Sequence, residues 1–203
     1  MQLVFIGIQG SWKWTQARIL AEKYWFDIFE TGWALRKLAK QDSDLWKLIK
    51  STIEAGKQVT PEIIEMILED FIKNASSENI IFDWLVRNEW NKETADKKLS
   101  SDYKVVYFDL PEEEAMRRLL WRMYNPKTWE TFPAGMTIDP KTWDELIKRS
   151  DDEENAIKQR IKEFYEKTLP VVEEYKKENR LILINANQAV EKVTDEIVDK
   201  VGL

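Results

Sequence analysis

The segment GIQGSWKWTQA, residues 7 to 17, follows the apolar run QLVFI and leads into a helix-like stretch. Without its tryptophans it reads strand, G-x-x-G-x-(small)-K-(small)-T, helix. Such a loop holds phosphate because its main-chain N–H groups point inward at the anion, the helix N-terminus adds its dipole and the lysine adds charge. Only residues with little side chain let the amides come that close. Gly7, Gly10, Lys13 and Thr15 fit this chemistry. Trp12 stands at the second glycine of G-x-x-x-x-G-K-[ST], and Trp14 at the Ser/Thr position. Taken alone, the remnant is equally well explained as a surface loop leading into a helix. A second candidate is Asp83, directly after the apolar run IIF, because ligand crevices of α/β sheets open at the carboxyl ends of strands.

The elements that must position these residues follow from hydrophobic patterning. Short apolar runs occur at LVFI (3 to 6), DIF (27 to 29), IIF (80 to 82), KVVYFDL (104 to 110) and RLILIN (180 to 185). Between them lie stretches of helical period, such as TQARILAEKY, PEIIEMILEDFIK and PEEEAMRRLL. Apolar runs without in/out alternation, separated by helices, predict parallel strands covered on both faces and hence a doubly wound α/β sheet. Two segments do not fit the sheet. Residues 30 to 59 read as a small helical insertion, and 121 to 152 are rich in turn residues and poor in apolar ones. The second holds a repeat, NPKTWE at 125 to 130 and DPKTWD at 139 to 144. Its first four residues are turn chemistry, and the fifth position is where a glycine of positive φ would stand. Tryptophan is there both times.

Composition narrows the chemistry. The chain has 203 residues, 43% of them apolar, enough for one cored domain with insertions. No run approaches the ~18 apolar residues of a membrane span. The N-terminus lacks signal-peptide features, so the expectation is a cytoplasmic protein without a membrane partner. With no histidine and no cysteine, catalysis must run on Lys, Arg, Asp and hydroxyls, and a thiolate zinc site is excluded. A net charge of -6 argues against a nucleic-acid partner while leaving free nucleotides open to a local arginine cluster. Glycine occurs 6 times and tryptophan 10 times, where about 14 glycines are usual for this length.

From end to end the chain resembles adenylate kinase, of the nucleoside monophosphate kinase family. The family loop G-x-x-G-x-G-K-G-T differs from residues 7 to 15 only at Trp12 and Trp14. TGWALR is similar to the TG-x-x-L-R motif, and VTPE at 59 to 62 to the V-P-x-E/D segment. DWLVR resembles D-G-F/Y-P-R, RLLWR resembles R-x-x-G-R, and RSDDEENAIKQR resembles R-x-D-D with a later arginine. The resemblance implies a three-layer P-loop fold with a parallel sheet of about five strands. Core residues would be 1–29, 60–120 and 153–203, an NMP-binding insertion 30–59, and a lid 121–152.

The resemblance also implies reversible phosphoryl transfer from Mg²⁺·ATP to AMP by a monomer. It gives Lys13, Arg87, Arg122, Arg149 and Arg160 as catalytic. Gly10, Thr15, Thr31, Arg36, Val59, Asn91 and Arg118 would bind nucleotide, and Asp83 would serve the magnesium shell. Asn91 stands where the family usually has an adenine-reading glutamine, which leaves UMP or CMP open as acceptors. Many bacterial relatives carry zinc or a polar network on four lid residues. The equivalent Asn125, Thr128, Asp139 and Thr142 can hydrogen-bond but make a poor zinc site, so no structural metal is expected.

Nine of the ten tryptophans, at 12, 14, 25, 33, 46, 84, 121, 129 and 143, stand where glycine is common in the family or expected from turn chemistry. Trp90 is the exception. Drift would scatter replacements over many residue types, so the pattern implies a concerted Gly-to-Trp change on an adenylate kinase parent, most simply engineered or computed. Trp12, Trp14 and Trp84 would then obstruct the phosphate site and Trp121 the lid hinge, with activity lost or severely reduced. Three other readings stand beside this: an active kinase with a remodelled loop, a non-catalytic scaffold whose exposed indoles promote self-association, and a UMP or CMP kinase relative.

Overall fold

A computed structural model describes residues 1–30, 61–128, 130–132, 135–148 and 152–203. Thr31, Trp33, Arg36, Trp46, Val59, Trp129 and Arg149 lie outside the described residues, as does nearly all of the 30–59 insertion.

Five strands form one parallel sheet: β1 (Gln2–Gly7), β2 (Asp27–Glu30), β3 (Ile80–Asp83), β4 (Lys104–Asp109) and β8 (Leu181–Asn185), in the order β2-β3-β1-β4-β8. The expected apolar runs and the observed strands coincide to within a residue or two. From Leu3 to Gly7, β1 is buried without alternation, as are all four residues of β3, because helices cover both faces. Those helices are α1 (Lys13–Tyr24), α2 (Pro61–Asn74), α3 (Glu89–Lys98), α4 (Glu112–Leu120), α5 (Glu154–Glu163), α6 (Leu169–Lys177) and α7 (Val190–Val201). A π-helical turn, Phe164–Thr168, joins α5 to α6. Phe5 and Phe108 meet edge to face in the sheet core, ring centroids 4.9 Å apart. The buried Gln16 amide ties α1 to α7, donating to the Val190 carbonyl at 2.8 Å and accepting from the Thr194 hydroxyl at 2.8 Å. No helix among the described residues is long and apolar enough to cross a membrane.

The 121–152 segment forms a small antiparallel sheet of β5 (Met123–Tyr124), β6 (Thr131–Phe132) and β7 (Ile147–Lys148), in the order β6-β5-β7. Too few apolar residues mark it for patterning to reveal strands. Its core is polar: the fully buried Asn125 Nδ2 donates to Asp139 Oδ2 at 2.7 Å and to Thr142 Oγ1 at 3.0 Å. Asn125 Oδ1 accepts from the Lys127 N–H at 2.8 Å, and Asp139 Oδ1 accepts from the Lys141 N–H at 2.8 Å. The two PKT turns are thus held alike, each by the side chain that opens it, and Thr128 and Thr142 accept the amides of Glu130 and Asp144. At the fifth position of the second turn Trp143 has φ 61°, the left-handed value expected there.

Truncating Asn125 removes one donor from the buried Asp139 carboxylate, which keeps the Lys141 and Thr142 amides, and takes the acceptor from the Lys127 and Thr128 amides. Asn125→Ala is expected to weaken this small sheet by about 1–3 kcal/mol. Amide exchange over 123–148 should accelerate roughly ten- to a hundredfold while the core strands keep their protection. Unchanged exchange there would show that the network carries no weight.

Candidate active site

The opening of the site follows from backbone geometry. At Gly7, the end of β1, a Cβ would lie 2.8 Å from the Phe108 carbonyl oxygen, so the strand can turn there only without a side chain. Gly10 has φ 84° and Trp12 φ 67°, both left-handed. Helix α1 then begins, and its first backbone bond runs from the Gln16 N–H to the Trp12 carbonyl at 2.9 Å. The amides of Lys13, Trp14 and Thr15 stand ahead of that bond, at the positive end of the helix. The architecture is that of a phosphate loop, with an indole attached where the left-handed turn requires the least side chain.

Lys13 lies folded into the loop. Its ammonium donates to the carbonyls of Gly7 at 2.7 Å and Ile8 at 2.9 Å and to Ser11 Oγ at 3.2 Å. Burial lowers its pKa to about 8, with Asp83 pulling the other way and Arg87 and Arg122 adding to the fall. Asp83, at the carboxyl end of β3, is 1% exposed, and neither carboxylate oxygen has a hydrogen-bond partner among the described residues. The Trp84 amide favours its ionised form without reaching hydrogen-bond geometry. Burial raises the Asp83 pKa to about 6 against the opposing pull of Lys13, and Glu30 pushes it further up. An orphaned buried carboxylate beside a phosphate loop fits the shell of a hard divalent cation such as Mg²⁺. Among the described residues no cluster of three His, Cys, Asp or Glu side chains is placed to hold a metal.

This carboxylate sets a pH dependence. Its folded pKa is raised, so the native state binds the Asp83 proton more tightly than the unfolded chain between pH ~4 and ~6, and that stability is lost as pH rises through 6. Asp83→Asn is therefore expected to raise unfolding stability by about 1–3 kcal/mol at pH 8, where Lys13 can also shed its proton, and by little near pH 4.5. Urea titrations at both values decide it, and an equal gain at both would remove ionisation as the cause.

The tryptophans meet the cations. Trp84, at φ 64°, has the Lys13 ammonium 4.8 Å and the Arg87 guanidinium 4.2 Å from its ring centroid. Trp12 carries the Arg118 guanidinium 5.0 Å from its ring centroid. Arg118 also reaches the carbonyls of Gly10 and Ala186, each at 3.1 Å, and Glu114 at 2.7 Å. Arg122 forms a bidentate pair with the fully buried Asp152, both bonds 2.9 Å, and Arg160 reaches the same carboxylate at 2.9 Å.

One cleft of about 790 Å³ gathers Gly10, Trp12, Lys13, Trp14, Thr15, Asp83, Trp84, Arg87, Arg118, Trp121, Arg122 and Arg160. The indoles line this space and leave it open. Asn91 is not among its lining residues. Its Oδ1 accepts the Arg87 N–H at 3.2 Å, and its own N–H bonds Asn88 Oδ1 at 2.9 Å, so it braces the turn that carries Arg87. Thr31, Arg36, Val59 and Arg149 lie outside the described residues. Sequence reasoning missed Asp152 as the carboxylate uniting two of the arginines, and Glu30, Glu114 and Glu163 as acidic members of the cleft wall. Asp152 sits in the acidic run DDEE, where nothing in the sequence separates a buried aspartate from solvated neighbours.

The sequence model of the family described as adenylate kinase matches residues 5–180. An adenylate kinase of Orientia tsutsugamushi (strain Boryong) is 33% identical over 212 aligned residues, spanning all of both chains. One from Francisella tularensis subsp. novicida is 30% identical over 217, covering all of this chain and 99% of that one. One from Buchnera aphidicola is 30% identical over 207, covering 98% and 95%. The phosphate-loop architecture, the orphaned aspartate and the arginine-lined cleft thus occur in a chain that belongs to the adenylate kinase family.

Proposed function

We propose that this chain is an adenylate kinase scaffold whose parent reaction, Mg²⁺-dependent transfer of a phosphoryl group from ATP to AMP, is severely impaired by tryptophans in the phosphate site. In the parent reaction Lys13 and the helix α1 amides would hold the ATP phosphates, while Arg87 would hold the AMP phosphate. Arg122 and Arg160, with Arg149, would neutralise the charge that spreads over the transferred group. Magnesium held near Asp83 would supply further charge compensation. The lid would exclude water, which otherwise accepts the phosphoryl group.

One observation carries the impairment: Lys13, Arg87 and Arg118, three of the cations this reaction needs, lie against the Trp12 and Trp84 rings. A triphosphate must separate these contacts, free the Lys13 ammonium from two carbonyls and approach amides that carry indoles. Calorimetric titration with Mg²⁺·ATP is expected to show no saturable binding up to millimolar nucleotide. Micromolar affinity would favour the second reading, an active enzyme in which the indoles turn outward and stack on adenine, which the open cleft of about 790 Å³ supports.

The remaining readings draw on other observations. Trp25, Trp121 and Trp143 are 82%, 66% and 80% exposed, which supports a scaffold inclined to self-associate in place of the monomer proposed for the parent. Asn91, outside the cleft wall, keeps UMP and CMP as acceptors to be screened on a glycine-restored chain. Cytoplasmic residence, and nucleotides in place of nucleic acid as partners, complete the proposal.

A further inference from the structure

We propose that the nine tryptophans at 12, 14, 25, 33, 46, 84, 121, 129 and 143 mark codons that the protein's own cell translates as glycine, so that the working chain carries glycine at all nine. The inference rests on the family reading of the site and not on the loss of activity.

At four of the nine positions the described backbone is of the left-handed kind that glycine favours. Trp12, Trp25, Trp84 and Trp143 all have φ between 59° and 67°, and the one other described non-glycine residue of positive φ is Asn179, a type that tolerates it. Trp25 ends α1 at φ 59°, ψ 43°, its N–H bonded to the Ala21 carbonyl; Gly202 ends α7 at φ 83°, ψ 48°, its N–H bonded to the Val198 carbonyl. One helix-ending motif is thus closed by tryptophan in one place and glycine in the other. Within a single phosphate loop Gly10 and Trp12 both take left-handed backbone.

The indoles at 25 and 143 are 82% and 80% exposed, with little of the burial that would favour so large a side chain. Trp90 differs in each respect: it lies within α3, half-buried, and its carbonyl accepts the Thr94 hydroxyl at 3.2 Å.

A replacement blind to structural role, confined to one residue type and sparing some glycines of the same role, is what synonymous codon choice produces. UGA is read as tryptophan in some reassigned genetic codes and as glycine in others, and it differs from the glycine codon GGA by one base. A gene using UGA and GGN together for glycine, read by the tryptophan convention, gives this chain. Restoring the nine beside the existing six leaves fifteen glycines and one tryptophan. Fifteen in 203 is the usual ~7% share. A deliberate redesign gives no reason to spare Gly202 and change Trp25.

The test is the codon at each of the ten positions, together with peptide masses of the protein isolated from its own cells. UGA at all nine with UGG at 90, and peptides lighter by the tryptophan-to-glycine difference at each of the nine, are expected. UGG at any of the nine, or tryptophan mass in their peptides, overturns the proposal. Tight ATP binding by the tryptophan chain would defeat the impairment proposed above and leave this codon assignment standing, so the two failures are distinguishable.

Discussion

W12G/W14G/W84G is expected to raise kcat/KM for ADP formation from Mg²⁺·ATP and AMP by at least ~10³-fold over the tryptophan chain, because a single preorganised donor to transition-state charge is worth ~10²–10³ and several are recovered together. The three sites act differently. Trp12 and Trp14 flank Lys13 in the loop, so their indoles stand where the triphosphate meets the amides. Trp84 lies against Lys13 and Arg87, so its removal frees the two cations proposed to hold the ATP and AMP phosphates. Single reversions should recover much less than the triple, since each leaves part of the cradle crowded. W25G/W143G, on exposed sites away from the cleft wall, should leave turnover unchanged. In the triple variant Lys13→Ala should abolish the gain, which ties it to the loop and not to improved folding. A coupled assay of ADP formation decides it; a gain below about tenfold would mean the indoles were not the obstacle.

The scaffold of this site is legible in the sequence because strand burial is an average property. The runs LVFI, IIF and VVYF need only be apolar for several residues to specify buried parallel strands, and Lys13 and Asp83 then fall at strand ends by chain order alone. The small antiparallel sheet was not legible, because β5, β6 and β7 are two residues each and stand on the Asn125–Asp139–Thr142 hydrogen bonds in place of an apolar face. The tether uniting Arg122 and Arg160 was hidden for a related reason: Asp152 is buried by tertiary contacts that the exposed Glu153 and Glu154 beside it do not share. Of the tryptophan positions, 12, 25, 84 and 143 take left-handed backbone, while Trp121, at φ -112°, does not. That the cleft stays open beside the rings depends on rotamers and cation contacts that no spacing encodes.

Backbone strain predicts a second large effect, on stability. A non-glycine residue held in left-handed backbone costs ~1–3 kcal/mol. Glycine returns about 0.5–1 kcal/mol of that as the extra entropy it loses on folding. Burial then decides the net change at each site. Trp25 and Trp143 are 82% and 80% exposed, so W25G and W143G give up little packing, and each is expected to stabilise by about 0.5–2 kcal/mol. Together they should raise the thermal midpoint by several degrees. Trp12 and Trp84 are half-buried against Arg118, Lys13 and Arg87, and losing cation–π contacts worth ~0.5–2 kcal/mol offsets the relief of strain. W12G and W84G should therefore contribute to the activity gain of the triple variant with little change in midpoint, while W25G and W143G raise the midpoint and leave turnover unchanged. Alanine separates the causes, since W25A and W143A remove the indole and keep a side chain at positive φ; they should recover only a minor part of the glycine gain. Equal stabilisation by alanine and glycine would place the cost in the indole's exposure and not in the backbone. W90G supplies the opposite sign, because a glycine inside α3 costs about 1 kcal/mol and the half-buried ring is lost with it. Chemical denaturation of these variants thus tests, site by site, whether left-handed backbone sets the stability of this chain.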